Sequence, residues 1–104
     1  MIINKIAIVV PFYNEEENLI FFIKEWEKFI SNNKSYKEFL FFYFVNDGST
    51  DQSVKKIKQD IKKLKFKIIN KKNSGHGETC KFAYNMIANN ETKFEYLLQI
   101  DSDN

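Results

Sequence analysis

Two carboxylates stand one residue apart in the segment "YLLQIDSDN". The apolar run from Tyr96 to Ile100 predicts a strand, so Asp101 and Asp103 are expected at its carboxyl end. Hard divalent cations such as Mg²⁺ and Mn²⁺ prefer carboxylate oxygens and often share their coordination with phosphates. Side chains two residues apart on an extended chain point to the same side, so one ion could meet both, directly or through water. The alternative for so short a pattern is a solvated polar tail.

Three further polar segments contain residues that could bind a ligand: "PFYNE", "NDGSTD" and "NSGHG". In the second, Asp47 could accept hydrogen bonds from a ligand, and Gly48 would let the backbone approach closely. Ordinary turn and cap chemistry is the alternative for each segment, because Asn14 with Glu17 has the spacing of a helix capping box. An isolated histidine such as His76 more often belongs to a loop than to a site. The sequence contains neither a P-loop nor a complete dinucleotide fingerprint.

The composition of the 104 residues narrows the function classes. The net charge is only +2 and all 16 basic residues are lysine, which argues against a dedicated nucleic-acid binder because arginine is the usual base-reading cation. The single Cys80 excludes an internal disulfide and fits a reducing compartment, and we expect it to be a small apolar residue within a helix. The lysines of segment 55–72 predict a solvated face, with contact to anionic lipid as the weaker alternative. No membrane span or cleavable signal is predicted.

The apolar pattern alternates between two periods. Continuous apolar runs predict strands over residues 6–10, 39–45, 66–69 and 96–100. Helical spacing predicts three helices between them, with inner residues Leu19, Ile23, Trp26 and Ile30, then Val54, Ile57, Ile61 and Leu64, then Phe82, Ala83, Met86 and Ile87. This alternation is typical of an α/β fold with an open, doubly wound, mostly parallel sheet of about four strands and three helices.

In such a sheet, ligands bind beyond the carboxyl ends of the strands, near the point where the strand order reverses. Each of the four polar segments follows one predicted strand. The sequence therefore predicts that all four meet at one edge of the sheet.

Taken in order and spacing, "IAIVVPFYNEEENL", "FVNDGSTDQS", "NSGHG" and "LLQIDSDN" resemble the nucleotide-sugar-binding half of a family 2 glycosyltransferase with the GT-A, Rossmann-like fold. The resemblance covers essentially all of residues 1–104. It implies a nucleotide-sugar-binding portion truncated after the D-x-D strand, with the acceptor half and its general base absent. The catalytic residues are therefore unknown, and we expect the fragment alone to bind donor without transferring sugar.

The resemblance also implies roles for individual residues. The loop from Pro11 to Glu15 would line the nucleotide pocket, Asp47 would contact the base, and the loop from Lys72 to Gly77 would lie near the diphosphate. The substrate-binding residues expected in this way are Pro11, Tyr13, Asn14, Glu15, Asp47, Gly48, Ser49, Lys72, Gly75, His76 and Asp101. The expected metal ligands are Asp101 and Asp103, holding Mn²⁺ or Mg²⁺. Asn46 departs from the family pattern, because many relatives carry an acid there.

The function implied by the resemblance is inverting transfer of a sugar from a nucleoside diphosphate sugar, with UDP the expected carrier, to an unidentified acceptor hydroxyl in cell-surface glycan or polysaccharide synthesis. The expected location is the cytoplasm, with peripheral association at the inner membrane face as a further option and no nucleic-acid partner. Two alternatives stay open: a non-catalytic nucleotide-binding or interaction module, and a nucleotidyltransferase. The second usually carries a basic, glycine-rich loop after the first strand, whereas this chain has the acidic "PFYNEEEN".

Overall fold

The computed structural model describes residues 6–89 and 94–102. Strands and helices alternate along the chain as the sequence predicts. In order they are β1 (Ile6–Phe12), α1 (Glu16–Asn32), a 3-10 helix (Lys34–Glu38), β2 (Leu40–Asp47), α2 (Ser53–Asp60), β3 (Lys65–Lys71), α3 (His76–Ala88) and β4 (Tyr96–Gln99).

The four strands form one parallel sheet in the order β3-β2-β1-β4. The chain moves outward from β1 to β3, and then α3 carries it back past β1 to β4. The strand order therefore reverses between β1 and β4. Helices α1 and α2 pack on one face of the sheet, and α3 packs on the other. The predicted open, doubly wound α/β fold is confirmed.

The two central strands are buried on both faces, and alternate residues feed two separate cores. In β1, Ile8 and Val10 pack with α1 and α2, whereas Ala7 and Val9 pack with α3. The same alternation runs along β2, where Phe42 faces the first core. Because both sides of these strands must be apolar, they read as continuous hydrophobic runs in the sequence.

β1 continues through Pro11 to Phe12, beyond the end predicted at residue 10. A proline lacks the N–H that a sheet ladder needs, so its place within a central strand requires a reason. The pairing of β1 with β4 ends at Val9, whose carbonyl accepts the Ile100 N–H at 2.9 Å. Pro11 is two residues further on and faces the same side, where no ladder partner continues. Its missing N–H therefore costs no strand hydrogen bond.

The predicted helix cap at Asn14 is wrong. α1 begins at Glu16 after Glu15, whose side chain makes no capping hydrogen bond, and Asn14 takes a left-handed φ of 50°. Asn14 instead directs its amide oxygen to the loop after β2. Asp51 accepts the Glu16 N–H at 3.3 Å, so a residue distant in sequence supplies the oxygen that the prediction assigned to Asn14.

Two other sequence expectations also need correction. α2 ends at Asp60, so Ile61 and Leu64 lie beyond the helix, although both are buried. Phe82 is exposed on α3, with the Lys71 ammonium 5.8 Å from its ring centre. β4 follows as a strand that is apolar in sequence but exposed along its length.

Glu27, on α1, fixes the connection that leads into β3. One carboxylate oxygen accepts three consecutive backbone N–H groups, those of Lys62 at 3.0 Å, Lys63 at 2.7 Å and Leu64 at 3.0 Å. These donors follow the end of α2 and have no helical acceptor, so the carboxylate supplies one. The contact joins α1 to the start of β3.

Replacing Glu27 with alanine should therefore destabilise the domain by about 1–2 kcal/mol, since three donors lose a charged acceptor but two of them stay accessible to water. Urea unfolding measures the change. Glu25→Ala is the matched control, because Glu25 is exposed on the same helix, and it should change the free energy of unfolding by less than about 0.5 kcal/mol. Equal effects of the two substitutions would contradict the role assigned to Glu27.

Candidate functional site

A cavity of about 510 Å³ opens at the carboxyl edge of the sheet, beside the point where the strand order reverses. Its size is within the range of small-molecule and cofactor pockets. The residues that line it are Pro11, Phe12, Tyr13, Glu15, Asp47, Asn73, Gly75, His76, Thr79, Asp101 and Ser102. All four polar segments of the sequence contribute to this lining, which confirms that they meet at one edge.

Asp47, the last residue of β2, is the buried carboxylate of the cavity wall. One oxygen accepts the Lys71 ammonium at 3.0 Å and the Ser74 N–H at 2.8 Å. The other accepts the Gly75 N–H at 2.9 Å and, more weakly, the Asn73 side-chain amide at 3.4 Å. A carboxylate has about four acceptor positions, so this group is fully used within the domain.

The pKa of Asp47 is lowered from its ordinary value. Burial raises the pKa, but hydrogen bonds from the Ser74 N–H, the Lys71 ammonium and the Gly75 N–H outweigh it. The nearby hydroxyl of Thr79 adds to the lowering, although it makes no hydrogen bond of ordinary geometry among the described residues. Asp47 is therefore ionised at neutral pH and fixes the start of α3 beside the end of β2.

Lys71 is a residue of this cluster that the sequence analysis missed. It faces Asp47 in the β2–β3 register, and its side chain is only 11% exposed. Its ammonium also donates to the carbonyl of Lys72 at 2.6 Å and to the hydroxyl of Ser74. Lys72, which the resemblance placed at the substrate, is exposed and outside the cavity lining. Only the pairing of neighbouring strands distinguishes these two adjacent lysines.

Asn14 and Ser49 join the loop after β1 to the loop after β2. The Asn14 side-chain oxygen accepts the Thr50 N–H at 2.8 Å and the Asp51 N–H at 3.2 Å, and the Asn14 N–H donates to the Ser49 hydroxyl at 2.9 Å. Neither residue is part of the cavity lining. Their contacts set the separation of the two loops.

Gly48 makes the sharp turn after Asp47 with a φ of +75°. A β-carbon at this position would lie 2.8 Å from the backbone nitrogen of Asn73, closer than any side chain tolerates. The side-chain amide of Asn73 also donates to the backbone carbonyl of Asp47 at 2.9 Å. The loop after β2 and the loop after β3 therefore touch where only glycine fits. Gly48 itself does not line the cavity.

His76 and Asp101 face each other across the mouth of the cavity. The His76 Nε2 is 3.9 Å from an Asp101 oxygen, and the Gln99 amide donates to that same oxygen at 3.2 Å. Cys80 lies one turn further along α3, with its sulfur 3.7 Å from His76 Nε2. Burial, and then the Asp101 charge, raise the pKa of the Cys80 thiol. Cys80 is therefore a neutral, buried side chain, as the sequence predicts.

Asp101 is half-buried at the end of β4, and Asp103 lies outside the described residues. Across residues 6–89 and 94–102, no three histidine, cysteine or acidic side chains come close enough together to hold a metal ion. Asp101 supplies a carboxylate of the type that hard cations prefer, so the donor chemistry at the cavity fits such an ion.

A cavity at the reversal point of a doubly wound parallel sheet defines a class of α/β protein that binds ligands at the carboxyl ends of its strands. Comparison with known families makes the class specific. The model of the family described as "Glycosyl transferase family 2" matches residues 7–104, and this chain belongs to that family. The resemblance drawn from the sequence motifs is thereby confirmed.

A solved structure with the same fold is that of S. aureus TarS, residues 1–349. It superposes with a TM-score of 0.66 at 27% sequence identity, over 95% of this chain and 27% of the TarS chain. The chain thus spans about a quarter of the length of that TarS chain. No curated protein sequence matches this chain.

Substituting Asp47 with asparagine should destabilise the domain by about 3 kcal/mol at neutral pH, because the buried Lys71 ammonium loses its counter-charge. The folded-state pKa of Asp47 is below its unfolded value of about 3.9. Its contribution is therefore complete above that value and is lost as the pH falls through the folded pKa.

Urea unfolding of both proteins from neutral pH down to about pH 2 measures this change. The difference between wild type and Asp47→Asn should stay constant down to roughly pH 4 and shrink below it. Asp60→Asn, at the end of α2, is the control and should change the free energy of unfolding at neutral pH by less than about 0.5 kcal/mol. If the difference in free energy of unfolding between wild type and Asp47→Asn stayed the same down to about pH 2, the charge pairing would be contradicted.

Gly48→Ala and Gly77→Ala should have different effects on stability. At Gly48 the positive φ and the contact with Asn73 should cost about 2 kcal/mol or more. Gly77 lies in the first turn of α3 with open space around it, so alanine there should be neutral or stabilising by up to about 1 kcal/mol. Thermal unfolding of the pair measures this, and a tolerated Gly48→Ala would mean that the two loops do not touch as described.

Proposed function

We propose that this chain forms the nucleotide-sugar donor site of its glycosyltransferase and that the donor is a UDP-linked sugar. In the whole protein the sugar would pass with inversion to an acceptor hydroxyl during cell-surface glycan or polysaccharide synthesis in the cytoplasm. The observation that carries the proposal is the cavity of about 510 Å³, which collects seven of the eleven substrate residues expected from the sequence. These are Pro11, Tyr13, Glu15, Asp47, Gly75, His76 and Asp101.

The nucleotide base would lie between the loop after β1 and the end of β2. Tyr13 is 48% exposed at the cavity and offers a ring face for stacking. Asp47 has all its acceptor positions in use, so a base N–H that bonds to it must replace an existing donor. The weakest is the Asn73 amide at 3.4 Å. Asn73 would therefore move when the base binds, while Lys71 stays paired with Asp47.

The charges around the cavity favour a cation between the protein and the diphosphate. Glu15 and Asp101 have no lysine partner among the described residues, and Asp47 already occupies the amino end of α3. A diphosphate alone would meet two uncompensated carboxylates there. Asp101 and Asp103 would hold Mn²⁺ or Mg²⁺, and such an ion, when bound, neutralises charge on the leaving diphosphate.

The chain's own residues would prepare this site in two ways. The Gln99 amide fixes one oxygen of Asp101, and His76 stands beside it at the start of α3. Gly75, with a φ of +97°, brings its backbone to the cavity wall without a side chain that would exclude a phosphate. In this proposal the catalytic base and the acceptor site belong to the rest of the whole protein, and the chain alone binds donor without transferring sugar.

Calorimetric titration of UDP in the presence of Mn²⁺ tests the donor site. We expect binding that EDTA abolishes and that Asp101→Asn with Asp103→Asn weakens at least about tenfold, since even outer partners of a metal ligand contribute about 10–100-fold. Asp60→Asn is the control and should bind UDP as the wild type does.

Two results would contradict the proposal. One is failure of both UDP and GDP to bind a protein that circular dichroism shows to be folded, which would favour a non-catalytic interaction module. The other is UDP binding that neither EDTA nor the double substitution changes. It would mean that the nucleotide binds without a cation and that the two aspartates do not hold one.

A further inference from the structure

The edge of the sheet opposite the cavity carries a second distinctive surface. The end of α1, the 3-10 helix Lys34–Glu38 and the connection from α2 to β3 come together there. Three contacts join them: Glu27 binds the backbone of residues 62–64, the Lys63 ammonium contacts the Ser31 hydroxyl, and the Phe29 and Tyr36 rings meet edge to face at 5.3 Å. We call this surface the lysine–aromatic face, comprising Phe29, Lys34, Tyr36, Lys37, Lys62 and Lys63.

An open groove of about 270 Å³ lies in this face, lined by Ile30, Ser31, Lys34, Lys37 and Lys63. Its lining is mostly apolar although three of the five residues are lysines, because Ile30 and the lysine stems form the walls. The ammonium groups therefore surround an apolar depression. Such an arrangement suits a ligand that is anionic outside and apolar beneath.

The positive charge of the face is not neutralised by neighbouring acids. Lys34 and Lys37 have no ion-pair partner among the described residues. Glu38 pairs with Lys65 at 3.6 Å, outside the groove. Glu27 accepts the three backbone N–H groups of residues 62–64 and keeps its charge, but the four lysines of the face outnumber these two acids. A net positive surface thus remains on a protein whose total charge is only +2.

Aromatic rings stand exposed beside these lysines. Tyr36 is 45% exposed and Phe29 is 37% exposed, and both belong to one chain of ring contacts that reaches Trp26. Tyrosine rings favour the boundary between water and lipid, phenylalanine rings enter its apolar side, and lysines favour the anionic headgroups there. Nucleic acid fits this face less well, because the chain has no arginine to read bases or clamp phosphates.

We propose that the lysine–aromatic face binds the surface of an anionic phospholipid bilayer. The association is peripheral, and none of the helices in the described part of the chain is long and apolar enough to cross a bilayer. β2 runs from this face to the cavity, so the cavity opens roughly 20–25 Å from the lipid surface. The inference does not rest on nucleotide binding and is tested without it.

Sedimentation with vesicles tests the proposal. Wild-type protein should bind vesicles of phosphatidylglycerol and phosphatidylcholine, bind pure phosphatidylcholine weakly, and dissociate as salt is raised. Each lysine near an anionic surface strengthens binding about fivefold, so Lys34→Gln with Lys37→Gln should weaken it about 25-fold. The matched control, Lys67→Gln with Lys81→Gln, removes the same charge from β3 and α3 and should bind as the wild type does.

Several outcomes would overturn the inference. One is failure of the folded wild type to bind the anionic vesicles, and another is equal loss of binding in the two double variants, which would indicate net charge alone. A third is binding of a single-stranded oligonucleotide that is lost in the Lys34→Gln/Lys37→Gln variant, together with vesicle binding that is unchanged in that variant. Titration of UDP into the Lys34→Gln/Lys37→Gln variant shows separately whether the donor site is intact.

Discussion

The buried carboxylate of Asp47 is the constraint on which the functional edge of this domain depends. A charge removed from water is costly unless it is paired and hydrogen-bonded, so the chain around it must supply donors in fixed positions. Those donors come from the end of β3, from the loop after it and from the start of α3. One wall of the cavity is therefore ordered by the need to satisfy a single side chain.

Asn46, next to Asp47 in β2, is matched to its neighbour on β3. Its side-chain amide donates to the Asn70 oxygen at 2.9 Å, and its own oxygen accepts the Ser49 N–H at 2.8 Å. An aspartate could accept from Ser49 but could not donate to Asn70. The asparagine at 46 is thus matched to its neighbour on β3, and it leaves Asp47 as the only carboxylate at the end of β2.

Much of this architecture could be predicted because strands that are buried on both faces must be made of apolar residues. β1 and β2 are covered on both faces, so their apolar runs are unmistakable, and the polar segments that follow them must emerge at one edge. What the sequence could not show depends on neighbours across strands. The choice of Lys71 over Lys72 follows from register, and the redirection of Asn14 follows from a loop 36 residues away. Whether the apolar residues of β4 are covered could not be predicted either, because apolar character alone does not say whether a second layer packs on a strand.

Because β4 is exposed, the two walls of the cavity differ in local stability. β1 and β2 are held on both sides and buried, whereas β4 pairs with β1 over four residues and its side chains face water. Detaching β4 therefore uncovers little new apolar surface, and its free energy of local opening should be well below that of global unfolding. Asp101 follows the less stable strand β4, whereas Asp47 ends the buried strand β2. A ligand that contacts both aspartates would stabilise β4 against local opening. It would slow amide exchange in β4 far more than in the central strands.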